Sequence, residues 1–384
     1  MENLTMGLSG MASYLLPFLL VITVLVFVHE MGHYLVARWN GVKVEVFSIG
    51  FGPELFGWTD KVGTRWKVSL VPLGGYVRMY GDEDAASRPS KDIKKMSAKA
   101  KDENLHTKKP WQRIAVFVAG PAANYLFAIV VLFALYATSG QPHVLAEVSE
   151  MAPNSAALKA GLKKGDLIVK ADDVSVRTFH DLQDYTFSHP DMPIILEVKR
   201  GEKLIKLTAT PDAKEMKDRF GRVRKTGSLG VMQSITPVYQ KISIGQSAMA
   251  AACDTWTLSV KTLHSVGQMI MGLRSSDELG GVLMIAKISG DMAQLGVGNL
   301  IMLMALLSIN LGLVNLFPIP MLDGGHIMLC LIEVIRGKPV SEKAQEIAFR
   351  VGFVIVISIM AFSLWNDLAH HLKVFSLIKG LFAG

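Results

Sequence analysis

The chain has 384 residues, half of them apolar, with 40 Lys and Arg against 33 Asp and Glu and a formal charge of +7. A positive mean hydropathy excludes an ordinary soluble globular protein and points to the membrane class, where a basic excess sits at the cytoplasmic lipid surface, so the lipid bilayer rather than nucleic acid is the expected partner. Two cysteines far apart, Cys253 and Cys330, exclude both a disulfide framework and a four-thiolate zinc site.

Residues 1–40 open the chain with "YLLPFLLVITVLVFV", Tyr14 to Val28, which carries no charge. No basic residue precedes Arg38 and no small-residue cleavage site interrupts the run, so a retained transmembrane helix is expected rather than a cleaved signal. The helix leads straight into "HEMGH", an H-E-x-x-H pattern. Residues i and i+4 share a helix face, so His29 and His33 can aim ring nitrogens at one point, where Zn2+ takes imidazole and carboxylate ligands. Glu30, beside the first of them, can accept a proton from water. The bland alternative is a pair of core histidines satisfied by hydrogen bonds. Two His and one Glu inside a membrane helix cost several kcal/mol unless something compensates, and a metal would do so.

Residues 41–113 hold "KVEVFSI" and "RWKVSLV", two strands expected to form an apolar hairpin through a Gly-rich connection containing Asp60, followed by a charged linker from Lys91 to Lys109. Its edge could take up an unwound substrate by strand addition, or the hairpin could plug the cytoplasmic opening. Residues 114–138 predict a second transmembrane helix, "VAGPAANYLFAIVVLFALYA". Residues 139–235 read as a small β-rich domain with one helix at "FHDLQDYTF", and 236–299 as an amphipathic helical region on the outer membrane surface.

Residues 300–335 predict a third transmembrane helix, broken by Pro318, Pro320, Gly324 and Gly325 in "NLFPIPMLDGGH". Broken helices at membrane depth survive only where they are buried in protein or line a cavity. Asp323 there could supply a third metal ligand, or could cap the helix that follows. His326 reads as a supporting or structural residue. Residues 336–384 comprise a cytoplasmic loop, a fourth transmembrane helix and an interfacial tail. Basic residues in 38–113 and in the last loop place both on the cytoplasmic side, with the termini and the β-rich domain outside. The expected fold class is an α-helical membrane protein with four transmembrane helices, a membrane-associated β-hairpin and one extracytoplasmic β-rich domain.

"HEMGH", "GPAAN" and "NLFPIPMLDGG", with "FSIGFGP" and "PLGGYV" between them, resemble the site-2 protease family of intramembrane zinc metalloproteases over nearly the whole chain. The resemblance implies zinc on His29, His33 and Asp323, with Glu30 as catalytic base. Asn315 would hold the substrate backbone or polarise its carbonyl, and Gly50 and Gly52 would join the substrate-binding set. Gly120, Pro121 and Asn124 would support the active-site helices, though a helix-packing hydrogen bond explains Asn124 equally well. The bacterial inner membrane is the implied location, with the β-rich domain and both termini periplasmic. Single-span membrane proteins such as anti-sigma factors, and remnant signal peptides, are the implied substrates.

"AALKAGLKKGDLIVKADD" resembles a PDZ domain in the circularly permuted bacterial arrangement. "GSLGV", with Gly227, Leu229 and Gly230, resembles its carboxylate-binding loop, where an ordinary turn is the alternative; excluding bulky substrates is an alternative role for the domain. The chain departs from the family in having room for one such domain where two are frequent, and in Val282 at a position where proline is common. Two other functions compete. A non-catalytic, membrane-anchored PDZ scaffold predicts a degraded metal site, yet Glu30 and all three ligand candidates are present. A metal transporter wants polar residues across several spans, yet the second and fourth lack acidic residues and histidine.

Overall fold

In the computed structural model, which describes residues 2–83, 87, 96–217, 223–233, 238–272 and 280–371, four helices are long and apolar enough to cross a membrane: Ala12–Trp39, Pro110–Ser139, Val297–Asn315 and Glu342–Ala369. The chain divides into two units. The first comprises Met1–Leu132, Ala251–Thr262 and Asp277–Gly384, and the second Phe133–Ala250 and Leu263–Ser276. Residues 91–95 of the charged linker and the tail from 372 lie outside the described residues.

The first unit opens with α1 (Glu2–Trp39), then β1 (Val44–Thr59), β2 (Arg65–Met79), the short α2 (Ala98–Glu103) and α3 (Pro110–Ser139). The strands are longer than the hairpin expected from sequence, and the connection shrinks to residues 60–64. Asp60 closes it: its carboxylate accepts from the Val62 and Thr64 amides at 2.9 Å and from the Trp66 indole at 2.9 Å. The register explains the extra length. Val46–Ile49 pairs with Arg78–Gly75 on one side and, running in the same direction, with Arg65–Val68 on the other, while Phe56–Thr59 pairs with Val68–Arg65. Each strand therefore folds back, giving four segments in the order 54–59, 65–69, 44–51 and 75–79. Gly50 and Gly52, at φ 89° and 90°, make the bend in β1 that a side chain would resist. Among the described residues, segment 75–79 finds its register partners only in 44–49, which leaves its other edge without a strand partner among them.

The inner side of this sheet shares a core with α1 and α3: Val44, Phe47, Val77, Met79, Leu105 and Val116 are buried, and Phe47 stacks on Trp66 at 4.4 Å. Leu55, Phe56, Trp58 and Leu70 stay exposed on its rim. An apolar rim of this size suits lipid better than water.

The second unit contains β3 (Gln141–His143), β4 (Val148–Met151), α4 (Ala156–Lys159), β5 (Leu167–Ala171), β6 (Val174–Ser175) and α5 (Phe179–Phe187). It continues with β7 (Ile194–Arg200), β8 (Lys203–Ala209), β9 (Asp212–Lys217), β10 (Val223–Ser228), β11 (Val231–Gln233) and β12 (Val238–Gln240). An antiparallel sheet β6-β5-β7-β8 forms its centre. In β7 the period of two is plain: Ile194, Leu196 and Val198 are buried while Ile195 and Lys199 face out. Each such side chain contributes about 1.5–3 kcal/mol. Helix α5 starts with a capping box, Thr178 and Asp181. Asp166 is buried and receives both Nε and an Nη of Arg200, at 2.7 and 2.8 Å. That guanidinium holds the Asp166 carboxyl below the usual carboxylate range.

Helix α6 (Ile244–Ile270) follows, then α7 (Val282–Gln294), α8 (Val297–Asn315), α9 (Asp323–Arg336) and α10 (Glu342–Asn366). The region expected on the outer surface thus includes two helices with specific polar contacts to the apolar ones. On α6, Ala251, Thr255 and Ser259 are buried four residues apart, and the Ser259 hydroxyl lies 3.1 Å from that of Tyr125. Helix α7 has no side-chain cap of its own. Its N-terminus is capped by the fully buried Asp367, which accepts from the amides of Gly281, Leu283 and Met284 at 2.7, 2.9 and 3.2 Å. Val282 is the first helical residue, a position where proline is favoured because its missing N–H is not needed.

Two outcomes test these anchors. Asp367→Ala strands three helix-end amides and should cost about 2–3 kcal/mol, seen as a lower urea midpoint of the full-length protein in detergent, with Asp367→Asn recovering part of the loss. For Asp166, the folded value is depressed, so its stabilisation is complete above the unfolded value of about 4 and is lost as pH falls through the folded one. Hydrogen-exchange protection of amides 167–171, corrected for intrinsic rate, should drop over that range in the wild type, and Asp166→Asn should remove the pH dependence.

Candidate metal centre

His29, Glu30 and His33 lie on one turn of α1, ten residues or fewer from Trp39, the last helical residue. At 1.5 Å per residue this puts them about 9–15 Å from the C-terminal end of the helix. Both histidines are buried. Their Nε2 atoms are 3.2 Å apart. Asp323 faces both, with one carboxylate oxygen 3.2 Å from His29 Nε2 and the other 3.4 Å from His33 Nε2.

The spacing fits a metal. Tetrahedral Zn2+ with bonds of about 2.0–2.1 Å holds its ligand atoms about 3.3–3.4 Å apart, and the separations of 3.2, 3.2 and 3.4 Å lie close to that, with the carboxylate turning a different oxygen to each histidine. The hydrogen-bond inventory points the same way. His33 Nδ1 lies 2.8 Å from the Val116 carbonyl, which can only accept, so Nδ1 carries the proton and in the neutral ring Nε2 presents a lone pair. A buried oxygen of Asp323, Oδ2, has no hydrogen-bond partner. Lone pairs converging in a buried site repel one another unless a cation sits among them.

Three backbone features bring Asp323 here. Helix α8 ends at Asn315, and α9 begins at Asp323, so the break expected from the Pro-x-Pro sequence is present. Met321 within it has φ 94°, a region that a bulky residue adopts only under constraint. Gly324 lies so close to the Leu316 and Phe317 carbonyls that a Cβ would collide with them. Asp323 itself is the first residue of α9 and makes no cap hydrogen bond; its carboxylate turns to the histidines while the helix dipole favours its charge.

These groups line a cavity of about 160 Å3 together with Glu30, Tyr76, Val77, Asn315 and His326, room for several waters. Asn315, at the end of α8, places its amide nitrogen 3.4 Å from His29 Nε2. His326 stacks on Phe117 at 4.4 Å and stands in the cavity wall outside the His-His-Asp cluster. Gly120 on α3 faces both imidazoles, and a Cβ there would collide with the His33 ring.

The remaining candidates lie elsewhere. Gly50 and Gly52 are at the bend of β1 and do not line this cavity. In the second unit, Gly227 pairs with Ala213 in β10, Leu229 is buried in the core, and Gly230 has φ 70°. The Leu229 and Gly230 carbonyls accept from Ala157 and Ala152 at 2.9 and 2.8 Å. Nothing in the sequence marks the Val116 carbonyl, because every residue type supplies that group. Gly120→Ala should displace the His33 ring and lower zinc affinity about 10- to 100-fold, measured by competition with a chromophoric chelator, while the helical circular dichroism stays unchanged.

The model of peptidase family M50 matches residues 17–359. A protein of Agrobacterium fabrum, named provisionally as a zinc metalloprotease, is 42% identical over 372 residues, covering 96% of this chain and 99% of that one. The metalloprotease MmpA of Caulobacter vibrioides is 35% identical over 396 residues, covering 97% and 99%. A PDZ domain from Listeria innocua aligns with 26% of the chain at 19% identity and a TM-score of 0.19, too slight a likeness to bear on the fold. Matched along nearly its whole length, the chain belongs to peptidase family M50.

Proposed function

We propose that this zinc metalloprotease is an intramembrane endopeptidase that hydrolyses peptide bonds in or near the transmembrane segments of single-span membrane proteins. The observation that carries this reading is the position of the His29–His33–Asp323 cluster and Glu30, well inside an apolar helix yet lining a polar cavity. His29, His33 and Asp323 would hold Zn2+, which when bound supplies Lewis acidity that makes water a better nucleophile near neutral pH. Glu30 takes the proton of the attacking water and returns it to the amine as the C–N bond breaks. Asn315 is placed to hold the substrate carbonyl.

A helical peptide bond is shielded, so the substrate must unwind, and a freed amide in lipid costs several kcal/mol. The edge of segment 75–79 that has no strand partner among the described residues borders the cavity and can take up those backbone groups by strand addition. The bend at Gly50 and Gly52 would shape that sheet. The second unit we read as a periplasmic PDZ-like domain, with Gly227, Leu229 and Gly230 near a peptide-binding loop. On this reading the chain sits in the bacterial inner membrane with both termini periplasmic. Anti-sigma factors and remnant signal peptides are the first substrates to try.

With the purified protein and a single-span substrate in detergent, wild type should cleave, and a zinc chelator should stop it. Glu30→Gln should cut the rate about 100- to 10,000-fold with zinc content unchanged. Cleavage by Glu30→Gln at the wild-type rate would remove Glu30 from the chemistry. Cleavage of soluble peptides but of no membrane substrate would overturn the intramembrane assignment.

A further inference from the structure

We infer that Asn124 is a positioning residue for the metal centre: its side-chain oxygen accepts the Nδ1 proton of His29 and so holds the His29 Nε2 lone pair toward the metal. The inference rests on the metal reading of the preceding section.

Asn124 is fully buried on α3, and its amide nitrogen lies 3.1 Å from His29 Nδ1. On the other side of the same ring, the amide nitrogen of Asn315 lies 3.4 Å from Nε2. A neutral imidazole has one N–H and one lone pair, so it cannot accept from donors at both nitrogens. The Nε2 atom is the one facing His33 and Asp323, so a metal there requires the proton on Nδ1. That proton needs an acceptor. The Asn124 side-chain oxygen is buried without a hydrogen-bond partner. A half-turn of the amide, which leaves its shape unchanged, brings this oxygen onto Nδ1.

The arrangement then matches that of the second histidine. His33 Nδ1 donates to the Val116 carbonyl. Val116, Gly120 and Asn124 follow one another at four-residue steps, so they form one stripe on α3. The two ends of the stripe accept one imidazole proton each, and the glycine between them gives the rings room. The backbone of Asn124 is fixed separately: its carbonyl accepts from the Ser308 hydroxyl of α8 at 2.9 Å. Outer partners of this kind orient a metal-binding histidine and raise its basicity.

The test measures Zn2+ affinity of the full-length protein in detergent by chelator competition, with the visible spectrum of the Co2+-loaded form as a second readout. Asn124→Leu, similar in size but without an acceptor, should bind zinc about 10- to 100-fold more weakly and change the Co2+ spectrum. Asn124→Asp keeps the acceptor and should bind at least as tightly as wild type. Ser308→Ala removes only the backbone anchor and should leave affinity unchanged. Wild-type affinity in Asn124→Leu, or a loss in Asn124→Asp as large as in Asn124→Leu, overturns the inference. Where Asn124→Leu does not fold, Asn124→Asp decides alone: retained affinity supports the role, and a loss of about tenfold or more refutes it. Zinc bound by wild type but indifferent to both Asn124 variants leaves the metal centre standing and removes only Asn124's part. No zinc on wild type removes the metal centre itself.

Discussion

Lone pairs converging in a buried, apolar setting need a positive charge between them. The two histidine nitrogens and the Asp323 carboxylate are held 3.2–3.4 Å from one another. Much of the surrounding structure keeps that cluster in place. The Val116 carbonyl fixes the His33 ring, Gly120 lets α3 approach it, and the turn at Met321 and Gly324 delivers Asp323 from the third apolar segment. Removing a charge-bearing member of such a buried set leaves the others uncompensated, which costs more than the pairing itself contributes.

The folded-back sheet is the second requirement of the proposed chemistry. Its edge segment supplies Tyr76 and Val77 to the cavity wall that Glu30 also lines. The proposed base and the proposed substrate edge therefore meet as one unit around the cavity. Aromatic packing of Phe47, Trp66 and Tyr34 ties that unit to α1, the helix that carries the histidines.

Polar anchors hold the apolar helices where hydrophobic packing alone would let them slide, because lipid is as apolar as their side chains. Asp367 ties the end of α10 to the start of α7. Arg113 and Glu333 pair between α3 and α9. Tyr125 meets Ser259 between α3 and α6, and Ser308 meets the Asn124 carbonyl between α8 and α3. The second unit uses the opposite strategy, a compact apolar core with Asp166 and Arg200 at its margin.

Much was legible in the chain itself. Long apolar runs mark the four helices that could span a membrane, since length and composition are local properties. The i, i+4 spacing of His29 and His33 put both on one helix face, and the Pro-x-Pro break marked the end of α8. The period of two in "IILEVKR" marked β7. The fold-back of β1 and β2 was not legible, because it depends on which backbone groups pair across distant segments, and "GFGPELFGW" reads locally as a loop. Asp367 was passed over because its partners lie more than 80 residues away. Asn124 was visible only as half of a motif with two equal explanations. By itself the sequence determined the residue types of a zinc-binding set and the helices that carry them. Only the tertiary structure decided that the set converges, which backbone carbonyl orients it, and how the strand edge meets the cavity, because those contacts join segments that local periodicity cannot relate.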